Sequence, residues 1–222
     1  MQIIERQTST LKYMSIEPDH HDLKSESPLI ILLHGYGSNM RDLAGFCPVL
    51  GEEYVYVCPN APLDLSANFG FSAFAWMEIS NDNLGIEQSE KLLTYFLDDI
   101  LDHYGSIEGD VPIFVGGFSQ GAVIAYRWGL NNPNIFDGIF ALSGKLILSE
   151  NFSEMESKPC EQVIFVAHGE SDLVIPVRYG RQAKEYLRAH GYDLEYREHD
   201  MTHEISELEV KDLKRWIASK TT

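Results

Sequence analysis

The chain has 222 residues, 44% of them hydrophobic, and a formal net charge of −17. That length and apolar content suit one globular domain with a sizeable core. The negative charge repels phosphate backbones and anionic membrane surfaces, which argues against nucleic acid as a partner.

Residues 1–13 lack the apolar run of a secretion signal, and nothing later approaches membrane-spanning length. Stable membrane insertion is therefore not expected. Residues 19–27 form a polar loop. Leu29-Ile30-Ile31-Leu32-Leu33, bounded by Pro28 and His34-Gly35, reads as a buried parallel strand. Residues 55–58, 113–115, 138–142 and 163–167 have the same character, and 194–198 alternates like a strand nearer a sheet edge. Leu92, Leu93, Phe96, Ile100 and Leu101 share a 3.6-residue period, which predicts a helix over 85–104. Further helices are expected over 120–130, 178–190 and 205–218. Strand and helix alternate, so the fold class is α/β, with a mostly parallel central sheet and helices on both faces.

Residues 59–83 are too many for a plain connection. They carry Phe69, Phe71, Phe74 and Trp76, more aromatics than a disordered loop holds. Together with Met77 they are expected to form an apolar lid or acyl-pocket wall. The alternative is that they pack on the surface helices. Cys47, Cys58 and Cys160 are an odd number without metal-ligand spacing, and read as reduced thiols of a cytoplasmic protein.

Gly117-Phe118-Ser119-Gln120-Gly121 has Gly-x-Ser-x-Gly spacing between an expected strand and an expected helix. A serine on such a sharp turn has a strained backbone and an exposed hydroxyl. A Cβ at either glycine would collide with a neighbouring element. The pattern is short enough to occur by chance, so its partners decide its meaning. A serine hydroxyl needs a general base, and that base needs a group to orient it. Asp172 follows the strand expected at 163–167, and His203 follows the one at 194–198, giving the chain order Ser, acid, His. Glu170 competes with Asp172. Asp172 is preferred because Leu173-Val174-Ile175-Pro176 is expected to fold back, apolar, behind it. His199 competes with His203, but it sits at a strand end, where a structural role suffices. His168, His103, His190, His20 and His21 are expected to be solvated or hydrogen-bonded bystanders. No metal-binding spacing occurs, so neither a metal nor another cofactor is expected.

The developing oxyanion needs donors. The backbone N–H of Gln120 follows the nucleophile at a helix N-terminus. The N–H of Tyr36, in the glycine-rich His34-Gly35-Tyr36-Gly37, is the second candidate; the alternative is an ordinary glycine turn. Whether the Gln120 side chain supports the loop or touches substrate stays open.

Leu33-His34-Gly35-Tyr36-Gly37-Ser38-Asn39, Pro59-Asn60-Ala61-Pro62, Trp76, Gly116 to Gly121, Ala141-Leu142-Ser143-Gly144, His168 to Asp172 and His203 occur in that order along nearly the whole chain. Together they resemble the phospholipase/carboxylesterase family of α/β hydrolases, which includes acyl-protein thioesterases and small bacterial carboxylesterases. The resemblance is nearest to the bacterial branch, because the His34 loop lacks a second Gly-rich, Trp-containing stretch. Met77 stands where the family often has an aromatic, which leaves the pocket more adaptable. The resemblance implies a single α/β-hydrolase domain over 1–222, without a large separate cap domain. It implies a Ser119–His203–Asp172 triad, oxyanion donors at Tyr36 and Gln120, and hydrolysis of small esters or thioesters through an acyl-serine. Thioesterase or lysophospholipase activity is the alternative use of the same site, and a non-catalytic binding protein of this fold is a third reading.

Overall fold

The computed structural model describes residues 1–19, 27–79, 85–104, 111–148 and 161–221. The chain begins with two antiparallel strands, β1 (Gln2–Gln7) and β2 (Lys12–Glu17). Next come β3 (Leu29–Leu33), a 3-10 turn at Leu43–Phe46, the short helix α1 (Cys47–Leu50) and β4 (Val55–Pro59). An excursion follows, built from β5 (Leu63–Asp64), α2 (Ser66–Phe69) and β6 (Phe74–Ala75). The long helix α3 (Ile86–Tyr104) leads to β7 (Ile113–Phe118), α4 (Gln120–Asn131), β8 (Gly138–Leu142) and β9 (Val163–Gly169). The remaining elements are α5 (Arg178–Ala189), β10 (Asp193–His199) and α6 (Glu207–Lys220).

Among the described residues, eight strands form one sheet in the order β1-β2-β4-β3-β7-β8-β9-β10. From β4 to β10 all neighbours are parallel, while β1 and β2 join antiparallel at the other edge. The strand expected near an edge, β10, is the edge strand. The β1–β2 hairpin went unpredicted. Its first strand carries Gln2, Glu5, Arg6 and Gln7, and such polar content is what a solvated edge tolerates.

Strand residues alternate between two apolar layers, as the two-residue period of a strand requires. Ile31, Leu33, Val57, Val115 and Val166 face α3, α4 and α5. Ile30, Leu32, Phe114, Phe140 and Phe165 face α1 and α6. Burial on both faces explains why these strands read as unbroken apolar runs. Cys47 and Cys58 are buried free thiols in the second layer, and Cys160 lies outside the described residues. Because β7, β9 and β10 run parallel, the loops after them emerge at one end of the sheet.

Candidate active site

Ser119 joins β7 to α4 with φ 56° and ψ −117°, a conformation rare for any residue with a Cβ. Its amide donates to the Leu142 carbonyl at 2.9 Å, which pins the turn to β8. The flanking glycines let α4 approach the sheet closely. A Cβ on Gly117 would lie 2.6 Å from the Leu33 carbonyl oxygen, and one on Gly121 only 2.0 Å from it.

The loop after β9 carries Asp172, which is buried. Its Oδ1 accepts from the Val174 and Ile175 amides, both at 2.9 Å, and its Oδ2 lies 2.7 Å from His203 Nδ1. On the other side of the ring, His203 Nε2 is 2.9 Å from Ser119 Oγ. The order Ser119–His203–Asp172 in space is thus continuous, while Glu170 is exposed and its amide donates to the His199 carbonyl. Of the apolar residues after Asp172, Leu173 and Val174 do not fold back behind it, while Ile175 and Pro176 are half-buried. Leu173 is 92% exposed and Val174 69% exposed, because the tight turn that aims the Val174 and Ile175 amides at Asp172 turns these two side chains outward.

The two loops are tied together. Ser171 donates to the Met201 carbonyl at 3.1 Å, and a Cβ on Gly169 would lie 2.2 Å from the Thr202 carbonyl oxygen. The Phe118 ring lies 4.9 Å from the imidazole of His203. His199 sits at the end of β10 with Nε2 3.7 Å from Asp212, away from Ser119. His168 is fully buried behind the acid, its Nε2 2.7 Å from the Ile175 carbonyl and 3.5 Å from Asp172 Oδ2. Burial holds it below the usual histidine range. As a neutral ring donating to Ile175, it props the loop without competing as a cation for Asp172.

The loop after β3 is held from several directions. His34 is buried, and that burial lowers its pKa to about 4. The neutral ring donates from Nδ1 to the Gly35 carbonyl at 2.7 Å, and Nε2 accepts from the Ala61 amide at 3.0 Å. Trp76 Nε1 donates to the His34 carbonyl at 2.8 Å, and the Gly37 amide donates to the Phe74 carbonyl at 2.9 Å. Tyr36 therefore stands on a fixed loop beside Ser119. Gln120 opens α4, where a helix leaves its first N–H groups without intrahelical acceptors. Its side chain is a brace: Oε1 accepts from the Trp76 amide at 2.7 Å and Nε2 donates to the Met77 carbonyl at 2.8 Å.

A cleft of about 330 Å³ opens beside Ser119, with Tyr36, Gln120 and Met77 in its lining. The other aromatics expected there lie elsewhere. Trp76 is fully buried in the core, drawn in by acceptors for both its indole and its backbone N–H. Phe69 covers Gly37 on the outside, its ring 6.1 Å from Tyr36 and 5.6 Å from Phe71. Phe74 packs against the core. The cleft instead takes Val123, Lys145, Ile147, Ile175 and Tyr179, none of which the sequence assigned to it. They come from three separate segments with no shared period.

The family model described as Phospholipase/Carboxylesterase matches residues 18–221. The chain belongs to the phospholipase/carboxylesterase family. Membership places it among esterase and thioesterase hydrolases of the α/β-hydrolase type. It is 30% identical over 209 residues to acyl-protein thioesterase 1 of Kluyveromyces lactis, covering 86% of this chain and 90% of that protein. The crystal structure of esterase PE8 aligns with a TM-score of 0.80 at 25% identity, covering 95% of this chain and 99% of that one. The crystal structure of Zea mays acyl-protein thioesterase 2, at 19% identity, has the same fold, with a TM-score of 0.76 and coverage of 95% and 99%. Among the described residues, no helix of this family member is long and apolar enough to cross a membrane.

Proposed function

We propose that the protein is a serine carboxylesterase that works through an acyl-Ser119 intermediate. Ser119 Oγ attacks the ester carbonyl while His203 Nε2 takes its proton. Asp172 holds Nδ1–H, which keeps Nε2 bare and stabilises the imidazolium as it forms. The N–H groups of Tyr36 and Gln120 receive the oxyanion. His203 then protonates the leaving alcohol, and a water activated by the same ring frees the acid. These steps use only side chains, backbone and water. The reading rests on one observation, the chain of hydrogen bonds from Ser119 Oγ through His203 to Asp172 at 2.9 and 2.7 Å.

A fluorophosphonate probe should label the folded protein at Ser119, and Ser119→Ala should lose both the label and at least about 10³-fold of p-nitrophenyl ester turnover. A Ser119→Ala protein that kept its esterase activity would overturn the proposal, and absence of labelling would favour a non-catalytic binding protein.

A second reading uses the same site on long-chain thioesters or lysophospholipids. It is favoured by the apolar groups at the cleft, whose lining includes Ile79, 67% exposed, and Val174, and by the name of the Kluyveromyces lactis relative, acyl-protein thioesterase 1. Turnover of long-chain thioesters far above that of short oxygen esters would support it. A cytoplasmic location belongs to the proposal, supported by the buried free thiols of Cys47 and Cys58.

A further inference from the structure

We infer that two copies of this chain pair along β10, antiparallel across a two-fold axis through Tyr196, so that their sheets join into one. β10 ends the sheet, with no strand beyond it among the described residues. It stays in unbroken register with β9, from Asp193 opposite Val163 to His199 opposite Gly169. It has no proline and no bulge against β9, two devices by which sheets protect an edge. Such a strand offers a second strand a row of backbone donors and acceptors.

Charge also protects edges, but only when like charges meet, and here their order decides. Asp193, Glu195, Arg197 and His199 share the α6 face, where Asp193 accepts from Lys220 Nζ at 2.8 Å and His199 lies 3.7 Å from Asp212. Leu194, Tyr196 and Glu198 share the α5 face, with Arg181 on Glu198 and Lys184 Nζ 4.8 Å from the centre of the Tyr196 ring. A two-fold axis through Tyr196 sets Glu195 against Arg197 of the second copy, and Asp193 against His199, each twice by symmetry. Leu194 then faces Glu198, and the two Tyr196 rings face each other. Cross-strand pairs of opposite charge stabilise a sheet and like pairs destabilise it. The neighbouring registers, centred on Glu195 or on Arg197, oppose Glu to Glu or Arg to Arg. Within one chain Arg197 Nη2 lies 2.8 Å from Glu195. Two such pairs brought head to tail form a square of alternating charge. The rest of the charge agrees. Residues 178–222, which supply α5, β10 and α6, hold nine Lys or Arg and nine Asp or Glu, so the net −17 lies entirely on residues 1–177. Two chains repel each other least where their neutral segments meet. Antiparallel pairing also sends the two candidate active sites to opposite ends of the joined sheet, where neither covers the other.

Sedimentation velocity of the full chain over a dilution series of about 1–100 µM tests the pairing. The wild-type protein should dimerise within that range. Glu195→Arg and Arg197→Glu should each raise the dimer Kd at least about tenfold, since each sets like charges opposite one another twice. The double variant carrying both reversals should return to within about threefold of wild type, because the exchange restores complementarity. Glu195→Arg makes the chain less negative and Arg197→Glu makes it more negative, so weakening by both marks local pairing rather than overall repulsion. A wild-type protein that stays monomeric throughout, single reversals that leave the dimer unmoved, or a double reversal no better than the singles overturns the pairing. Hydrogen exchange needs no variant. The outward amides of wild-type β10 should exchange more slowly at the top of the series than at the bottom, and rates independent of concentration overturn the pairing as well.

Discussion

Asp172 divides its two oxygens between two tasks. Oδ1 takes the Val174 and Ile175 amides, and Oδ2 takes His203 Nδ1. Asn at this position keeps an oxygen for the two amides but turns its NH₂ toward His203. That group donates, so Nδ1 must become the acceptor and the proton moves to Nε2, where the proposed mechanism needs a bare nitrogen. Asp172→Asn should therefore lower kcat by about 10³–10⁴-fold while circular dichroism and the melting curve change little. A drop of less than tenfold would remove the orienting role. The sequence pointed to Ser119, Asp172 and His203 because their order and their places after strands are one-dimensional facts. It misplaced Trp76, since an indole in a sequence does not reveal whether its N–H has an acceptor. Nor did it reveal His168 and His34 as buried neutral props, a property set by neighbours rather than by spacing.

At the scale of elements, the excursion from β5 to β6 supports the loop after β3 instead of walling the cleft. Its strands are two residues each and its helix four, too short to leave a period in the sequence. The bond from Trp76 Nε1 to the His34 carbonyl is the link that can be cut most cleanly. Trp76→Phe keeps an aromatic in the core and leaves that buried carbonyl without its donor. The expected loss is about 1–3 kcal/mol of stability from the unpaired group. Because the carbonyl belongs to the loop of Tyr36, kcat should also fall, by about tenfold, with KM changed less. Steady-state kinetics beside thermal denaturation checks both. Unchanged kcat in a destabilised protein would show that the loop does not depend on this bond. The longer elements were legible: β3 and β8 match the expected bounds, α3, α4 and α5 differ by one residue at one end, and α6 is shifted by two residues at both ends.

For the whole molecule, two buried groups set opposite slopes of stability with pH. His34 titrates near 4 when folded against an ordinary 6.5, so the unfolded chain binds its proton first. Stability from this group is full above about pH 6.5 and is lost as pH falls toward 4. Glu209, in the first turn of α6, is raised from 4.5 to about 8, chiefly by burial and further by Asp212, against the Ser206 backbone N–H. Its unfolded form loses the proton first, so stability falls as pH rises from about 4.5 through 8. Glu209→Gln removes that ionisation and should flatten the alkaline slope. Each tenfold change in a proton equilibrium is worth about 1.4 kcal/mol, so the gain at pH 8 should be on the order of a few kcal/mol, with little gained at pH 5. Denaturant midpoints of both proteins across that range test it; parallel curves would contradict it. The α/β class, the buried strands and the family were legible in the chain's one-dimensional pattern. Burial on both sheet faces writes continuous apolar runs, and a sharp turn that packs a helix closely on a strand demands glycines at fixed spacing. Which side chains border the cleft and which hold the loops depended instead on contacts in three dimensions. Those contacts join residues such as Gln120 and Trp76, or Ser119 and His203, that the parallel sheet brings to one end although the chain separates them widely.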